Sequence, residues 1–168
     1  MTDLQTIKEA LTHQNIDALE LGGIEFGELV DMPVTHHFTP GLYTREIFMP
    51  KGTLCTSKIH KTEHPYSVLS GKCQVFTVGG GVEEIEAGHF GITQPGTRRV
   101  LYIEEDCTWV THHVLSGAEE AWRLVDGTTE EEVLELIEDR IIDRRELPGG
   151  QTANELFEAK LKLKEIGV

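Results

Sequence analysis

The sequence predicts a mainly β protein, a barrel or sandwich of short strands between helical ends, and three observations carry that expectation. Between residues 34 and 116, short runs rich in Val, Ile, Thr, Phe and Tyr alternate with Gly and Pro punctuation. A turn signal arrives about every 8–12 residues, the rhythm of an antiparallel sandwich or barrel and not of a parallel sheet with crossover helices. After residue 116 the pattern changes to helical spacing, with Val133, Leu134, Ile137 and Ile141 forming a stripe. The 168 residues are one domain's length, and such a domain hides roughly two thirds of its unfolded surface, enough for a hydrophobic core without staples.

The elements follow in order. Leu4, Ile7 and Leu11 stand at three- and four-residue spacing, so residues 2–14 read as a short helix. A loose stretch with Gly22-Gly23, Gly27 and Met32-Pro33 comes next, with a short strand around Leu29 and Val30. Strands are expected at Tyr43–Met49, Leu54–His60, Tyr66–Leu69, Lys72–Val78, Val82–Glu86, Phe90–Thr93, Arg98–Ile103 and Thr108–Leu115. Ser70-Gly71 reads as a tight turn, Gly79-Gly80-Gly81 as a hairpin, and Glu104-Glu105-Asp106 as the break before the last strand. Thr129 with Glu132, and Thr152 with Glu155, have capping-box spacing and open two helices, separated by Leu147-Pro148-Gly149-Gly150. The organisation is therefore a lead-in over 1–33, a β-barrel over 34–116, and two carboxy-terminal helices over 117–168.

Composition narrows the function classes. Fifteen basic against twenty-nine acidic residues give a formal charge of −14, which argues against nucleic acid as a partner, because that affinity comes from neutralising phosphates. The acidic run Glu130-Glu131-Glu132 with Glu135, Glu138 and Asp139 reads as a solvated helix face. No tract of ~18 apolar residues is present, so no membrane span is expected. Met1-Thr2-Asp3-Leu4 lacks the features of a secretion signal, and the expected location is cytoplasmic. Cys55, Cys73 and Cys107 are far apart and odd in number, so they read as small buried strand residues, not as disulfides or a zinc knuckle. No serine sits in a G-x-S-x-G elbow, and no G-K-[ST] follows the glycine run.

The eight histidines are the chemically informative residues: His13, His36, His37, His60, His64, His89, His112 and His113. Neutral imidazole is a common ligand for divalent transition metals. His60 and His64 flank Lys61-Thr62-Glu63, and residues four apart on a regular strand share a face. Of the adjacent pair His112 and His113 only one can face inward, and the flanking pattern leaves open which. Arg98 and Arg99 divide in the same way, the outward one expected to be a surface ion-pair partner. Tyr66 and Tyr102 are candidates for lining the interior.

From Gly52 to Gly71 the chain reads GTLCTSKIHKTEHPYSVLSG, and from Gly88 to Arg99 GHFGITQPGTRR. These segments resemble the two motifs of the cupin superfamily, which implies a cupin-type β-barrel, or jelly roll. Counting back from Gly71, the resemblance puts His64 at the family's glutamate position, His60 at the second histidine and Lys58 at the first. Arg99 takes the place of the second motif's histidine. The chain is also similar to small cupin-like proteins of tailed phages, through Tyr43-Thr44-Arg45-Glu46, Lys58-Ile59-His60 with Glu63-His64, Pro95-Gly96-Thr97, and Glu105-Asp106 before Trp109. That likeness matches the last histidine to His113 and implies a cluster of His60, His64 and His113.

Three functional expectations result. In the first, His60, His64 and His113 hold a divalent ion (zinc, iron, nickel or manganese), with Glu63 as an optional carboxylate, and any enzyme would be metal-dependent and act on a small molecule. In the second, the barrel binds a small anionic ligand without metal, through Lys58 and Arg99 with Tyr102 as a further contributor. In the third, the barrel is a scaffold for an assembly or accessory protein whose terminal helices make the contacts. The resemblance implies a homodimer or other homo-oligomer.

Overall fold

The computed structural model describes residues 12–165. The protein is mainly β and antiparallel, with helices before and after the strands, as the sequence predicts. Helix α1 (His13–Phe26) is followed by strands β1 (Val34–Thr39), β2 (Leu42–Met49), β3 (Leu54–Thr56), β4 (Ile59–His60), β5 (His64–Thr77), β6 (Gly81–Glu86), β7 (Phe90–Thr93) and β8 (Arg99–Val114). Helices α2 (Gly117–Arg123) and α3 (Glu130–Ile141), strand β9 (Ile142–Asp143) and helix α4 (Ala153–Glu165) complete the chain. The main antiparallel sheet runs β1-β2-β8-β5-β6, with β3 added to β8 and β7 added to β5.

Two long strands organise the barrel. The carboxy-terminal half of β8 pairs with β2 and its early part with β3; likewise β5 pairs first with β7 and then with β6. Each long strand thus serves two differently oriented patches of sheet. The expected turn at Ser70-Gly71 and the expected break at Glu104–Asp106 are instead facing irregularities in one continuous β5–β8 ladder, where the register shifts between Val68 and Cys73. Gly71 has φ of 82°, and a Cβ there would collide with the Asp106 carbonyl. Punctuation that reads as a turn is here a bulge that bends paired strands without separating them.

The ends differ from expectation for physical reasons. Most of the helix expected at residues 2–14 lies outside the described residues. The stretch read as loose is α1, capped by the Thr12 side chain, which accepts from Asn15 N–H. Helix continues through Gly22 and Gly23, and no strand forms at Leu29 or Val30. Packing overrides the weak propensity there. Ile16 is buried, and Asp17 of the same helix forms a double ion pair with Arg98 and Arg145. Strand β1, missed because Thr and His dilute its apolar content, pairs along β2 from Val34↔Ile47 to Thr39↔Leu42. Three helices follow the barrel instead of two, the extra one being α2, with a capping box from Ser116 and Glu119.

The core between the sheet patches includes Val68, Cys73, Ile85, Ile103, Cys107 and Trp109. All three cysteines are free, Cys73 and Cys107 fully buried, and burial raises the Cys55 thiol to about 11. A second cluster joins α3 to the barrel, with Val133, Ile137 and Ile141 against Tyr43, Leu115 and Phe38. The Thr129–Glu132 capping box is formed, and most of the acidic residues of α3 are solvated, as expected. Helix α4 packs along α1, where Lys160 Nζ donates to the Gly27 carbonyl. Among the described residues, no helix is long and apolar enough to cross a membrane.

Candidate metal centre

Adjacent strands each contribute an inward residue. On β2, Tyr43, Arg45, Ile47 and Met49 share one face, because side chains alternate. The β2–β8 register sets Tyr43 opposite His113 and Arg45 opposite Thr111, and the β5–β8 register sets Tyr66 opposite Thr111. His64 lies two residues before Tyr66 and pairs with Thr93 of β7. The sheet therefore carries an inward row running Tyr43, His113, His64, Thr93, with Arg45, Thr111 and Tyr66 on the neighbouring rung.

His60 reaches this row by a different route. The chain leaves β3 at Thr56, and Ile59 and His60 form a two-residue ladder with β9, directly after α3. Lys61 N–H donates to the Ile141 carbonyl, and Gly96 N–H to the His60 carbonyl. One continuous strand Leu54–His60 was expected. The ladder to β9 replaces it, and could not be read locally because its partner lies about eighty residues downstream.

The three imidazoles converge. One ring nitrogen from each of His60, His64 and His113 lies within 4.8 Å of the others. Ring centroids are 4.2 Å apart for His60–His64, 4.5 Å for His64–His113 and 5.3 Å for His60–His113. Two nitrogens on one tetrahedral ion, each at roughly 2.1 Å, stand about 3.4 Å apart, so binding draws the rings together from a spacing of up to 4.8 Å.

Hydrogen bonds engage one nitrogen of His64 and one of His113. His64 Nδ1 lies 3.1 Å from the Thr62 carbonyl, which can only accept, so this nitrogen carries the proton and Nε2 keeps its lone pair. His113 Nε2 lies 3.1 Å from Thr111 Oγ1, while His113 Nδ1 is fully buried and has no hydrogen-bond partner. Burial pushes His60 down to about 3 and His113 down to about 2, and the neighbouring imidazoles and Arg45 add to both shifts. Burial also lowers His64, partly opposed by its bond to Thr62. All three rings are thus neutral at physiological pH, the form that ligates metal. Three neutral nitrogens, one buried without a partner, fit a divalent transition metal.

Other expected residues lie elsewhere. His112 is half-buried with Nδ1 3.0 Å from Thr44 Oγ1, so His113 is the inward member of the pair. Glu63 is exposed and no carboxylate joins the cluster among the described residues. Lys58 reaches α3, with Nζ 2.6 Å from Glu138 Oε1. Tyr102 is 44% exposed, toward the other end of β8. Arg99 points inward, donating to Thr93 Oγ1 at 3.2 Å with its guanidinium 5.2 Å from the Tyr66 ring centroid. It lines a cavity of ≈ 290 Å³ together with Tyr66, Gln94 and Thr97. Arg98 is an ion-pair partner, but a buried one, held by Asp17 and Glu20 under α1 and not at the surface.

Sequence reading missed Tyr43, Arg45 and Thr111 as neighbours of the cluster. Tyr43 stacks on His113 at 5.8 Å and its hydroxyl lies 2.8 Å from His36 Nδ1. Strict alternation along Tyr43-Thr44-Arg45 was the available signal, but it becomes decisive only with the register to β8.

No protein-family model matches the chain, and no curated protein matches it significantly in sequence. Among solved structures it is similar to ectoine synthase from P. lautus (15% identity, TM-score 0.45, covering 61% of this chain and 86% of that one). It is also similar to an RmlC-like cupin family protein with a double-stranded β-helix fold from Methanocaldococcus jannaschii (8%, TM-score 0.42, 52% and 83%). A third is the Cupin_2 domain of an XRE family transcriptional regulator from Enterobacter cloacae (14%, TM-score 0.43, 51% and 97%). At such identity none of these likenesses carries an activity to this chain.

Proposed function

We propose that this protein is a metal-binding cupin in which His60, His64 and His113 hold one divalent ion and a small molecule occupies the adjoining chamber. The observation that carries this reading is His113 Nδ1: fully buried, without a hydrogen-bond partner, and beside two further imidazoles. A buried polar atom left unsatisfied costs about 1–3 kcal/mol, a cost that coordination would remove. When bound, such an ion with three protein ligands keeps open positions and supplies Lewis acidity toward a bound oxygen. The chain's own residues do the rest: Thr62 and Thr111 fix the ring orientations, and Tyr43 packs one side of the cluster. Zinc, iron, nickel and manganese all remain within this reading.

A metal-free role is the second reading, favoured by the half-buried Arg99 at the ≈ 290 Å³ cavity, a cation suited to a small anionic ligand. Homodimeric assembly, a cytoplasmic location and the kinship to phage cupin-like proteins rest on the sequence alone. The test is metal analysis of protein purified without a histidine tag, together with melting curves before and after chelation. About one ion per chain, and a melting temperature that falls on chelation and recovers on readdition, is the expected result. No bound ion, with melting unchanged by any of the four metals, overturns the reading.

A further inference from the structure

The cluster's charge balance leads beyond metal binding. Among the described residues no carboxylate joins the three imidazoles. Two guanidinium groups nevertheless flank the cluster, one on either side of the row. Arg45 stands on the inward face of β2, opposite Thr111, whose hydroxyl contacts His113. Arg99 stands at the Thr93 end of the inward row, Thr93 being the strand partner of His64. Among the described residues the Arg45 side chain has neither a hydrogen bond nor an ion pair, although it is half-buried. Arginine keeps its charge under such conditions, and its planar fork is suited to paired oxygens. Outside the row the protein pairs its buried arginine, as Arg98 with Asp17 and Glu20 shows. The unpaired inward guanidinium at Arg45 is therefore an exception that a ligand would resolve.

We propose that the chamber binds a small organic dianion, with Arg45 and Arg99 recognising its oxygens from either side of the imidazole row. A divalent ion at the histidines would add its own positive charge, so the inference deepens the metal-binding reading and rests on it for the ligand's central contact. The two guanidinium groups exist with or without the ion, and this separates the two ideas experimentally. Carboxylate and phosphate share the recognised chemistry, namely planar or near-planar oxygen pairs that accept a bidentate fork.

The experiment titrates malonate and inorganic phosphate by calorimetry into wild-type protein and into Arg45→Gln, Arg99→Gln and Lys58→Gln. Each protein is used both metal-loaded and metal-free, with metal content measured first. Wild type is expected to bind at least one of the two anions, and the stronger of them identifies the ligand's acid group. Arg45→Gln and Arg99→Gln should each weaken binding roughly 10- to 100-fold while retaining the wild-type metal content. Lys58→Gln should bind as wild type, because its ammonium is engaged with Glu138. If Arg45→Gln does not fold, Arg45→Lys carries the test: it keeps the charge, loses the fork, and should bind several-fold more weakly. Absence of anion binding to wild type in both metal states overturns the inference, as does wild-type affinity in both arginine variants. Loss of metal binding alone, with arginine-dependent anion binding intact in the metal-free protein, refutes the metal reading and leaves the arginine assignment standing.

Discussion

His113 Nε2 lies 3.1 Å from Thr111 Oγ1, two residues back on the same strand, while His113 Nδ1 is buried without a partner. When Nε2–H donates to the threonine, the ring takes the tautomer whose Nδ1 lone pair is available. Thr111→Val removes that acceptor with little change in shape. Metal affinity should fall about 10- to 100-fold, with the fold retained and stability lowered by about 1–3 kcal/mol. Titration of a competing chromogenic chelator reads the affinity, and a wild-type value would show that Thr111 does not orient the ring.

The histidines also set a pH dependence for the metal-free protein. Their folded-state values are depressed, to about 3 for His60 and about 2 for His113, so the unfolded chain binds more protons than the folded one below pH ~6.5. Stability is full above that pH and falls as pH drops through it. Each imidazole contributes a slope approaching about 1.4 kcal/mol per pH unit between its unfolded and folded values. Urea unfolding of the chelated protein at pH 7.5, 6.5 and 5.5 should show this loss, reduced in His113→Gln. A flat profile would contradict neutral burial of the cluster.

A second acid-sensitive element lies under α1. Arg145, foremost, and Arg98 hold the Asp17 carboxyl below its usual range against the opposing effect of burial. Its depressed folded value means that its contribution is complete above pH ~3.9 and is lost as pH falls through the folded value. Asp17→Ala leaves Arg98 buried without its main partner and should cost about 3–5 kcal/mol. Chemical denaturation measures the loss; a change under ~1 kcal/mol would mean that Arg98 finds other partners.

Helix α3 does more than cover the barrel. Ile137 is fully buried against the cluster containing Tyr43, and the chain passes from α3 into β9, the partner of His60. Ile137→Ala should cost about 2–5 kcal/mol through lost burial and the cavity left behind. Because β9 is anchored by this helix, metal affinity should fall too, although Ile137 is itself no ligand. Affinity unchanged in a destabilised Ile137→Ala protein would uncouple the helix from the site.

Legibility in the sequence followed the range of the interaction involved. Capping boxes at Thr129 and Thr152 depend on residues three apart, and both formed. The convergence of His60, His64 and His113 was implied by motif resemblance, while alternation alone left His112 and His113 undecided. The β5–β8 register decides it, and register is a property of two strands. The turns at Gly71 and Glu104–Asp106 were misread because a bulge and a turn use the same residue types. Arg45 went unnoticed as a site residue because its inward direction depends on pairing with β8, and the His60–β9 ladder depends on a partner about eighty residues away.

The proposed metal centre requires that three imidazoles hold one ion jointly. Calorimetric titration of zinc into chelated, untagged protein tests it most directly, using wild type and the single variants His60→Ala, His64→Ala and His113→Ala. One site per chain is expected in wild type and at least a hundredfold weaker binding in each variant, with His37→Ala unchanged because that ring faces Glu46 on the outer side of β1. Affinity that survives any two of the three cluster substitutions would contradict it.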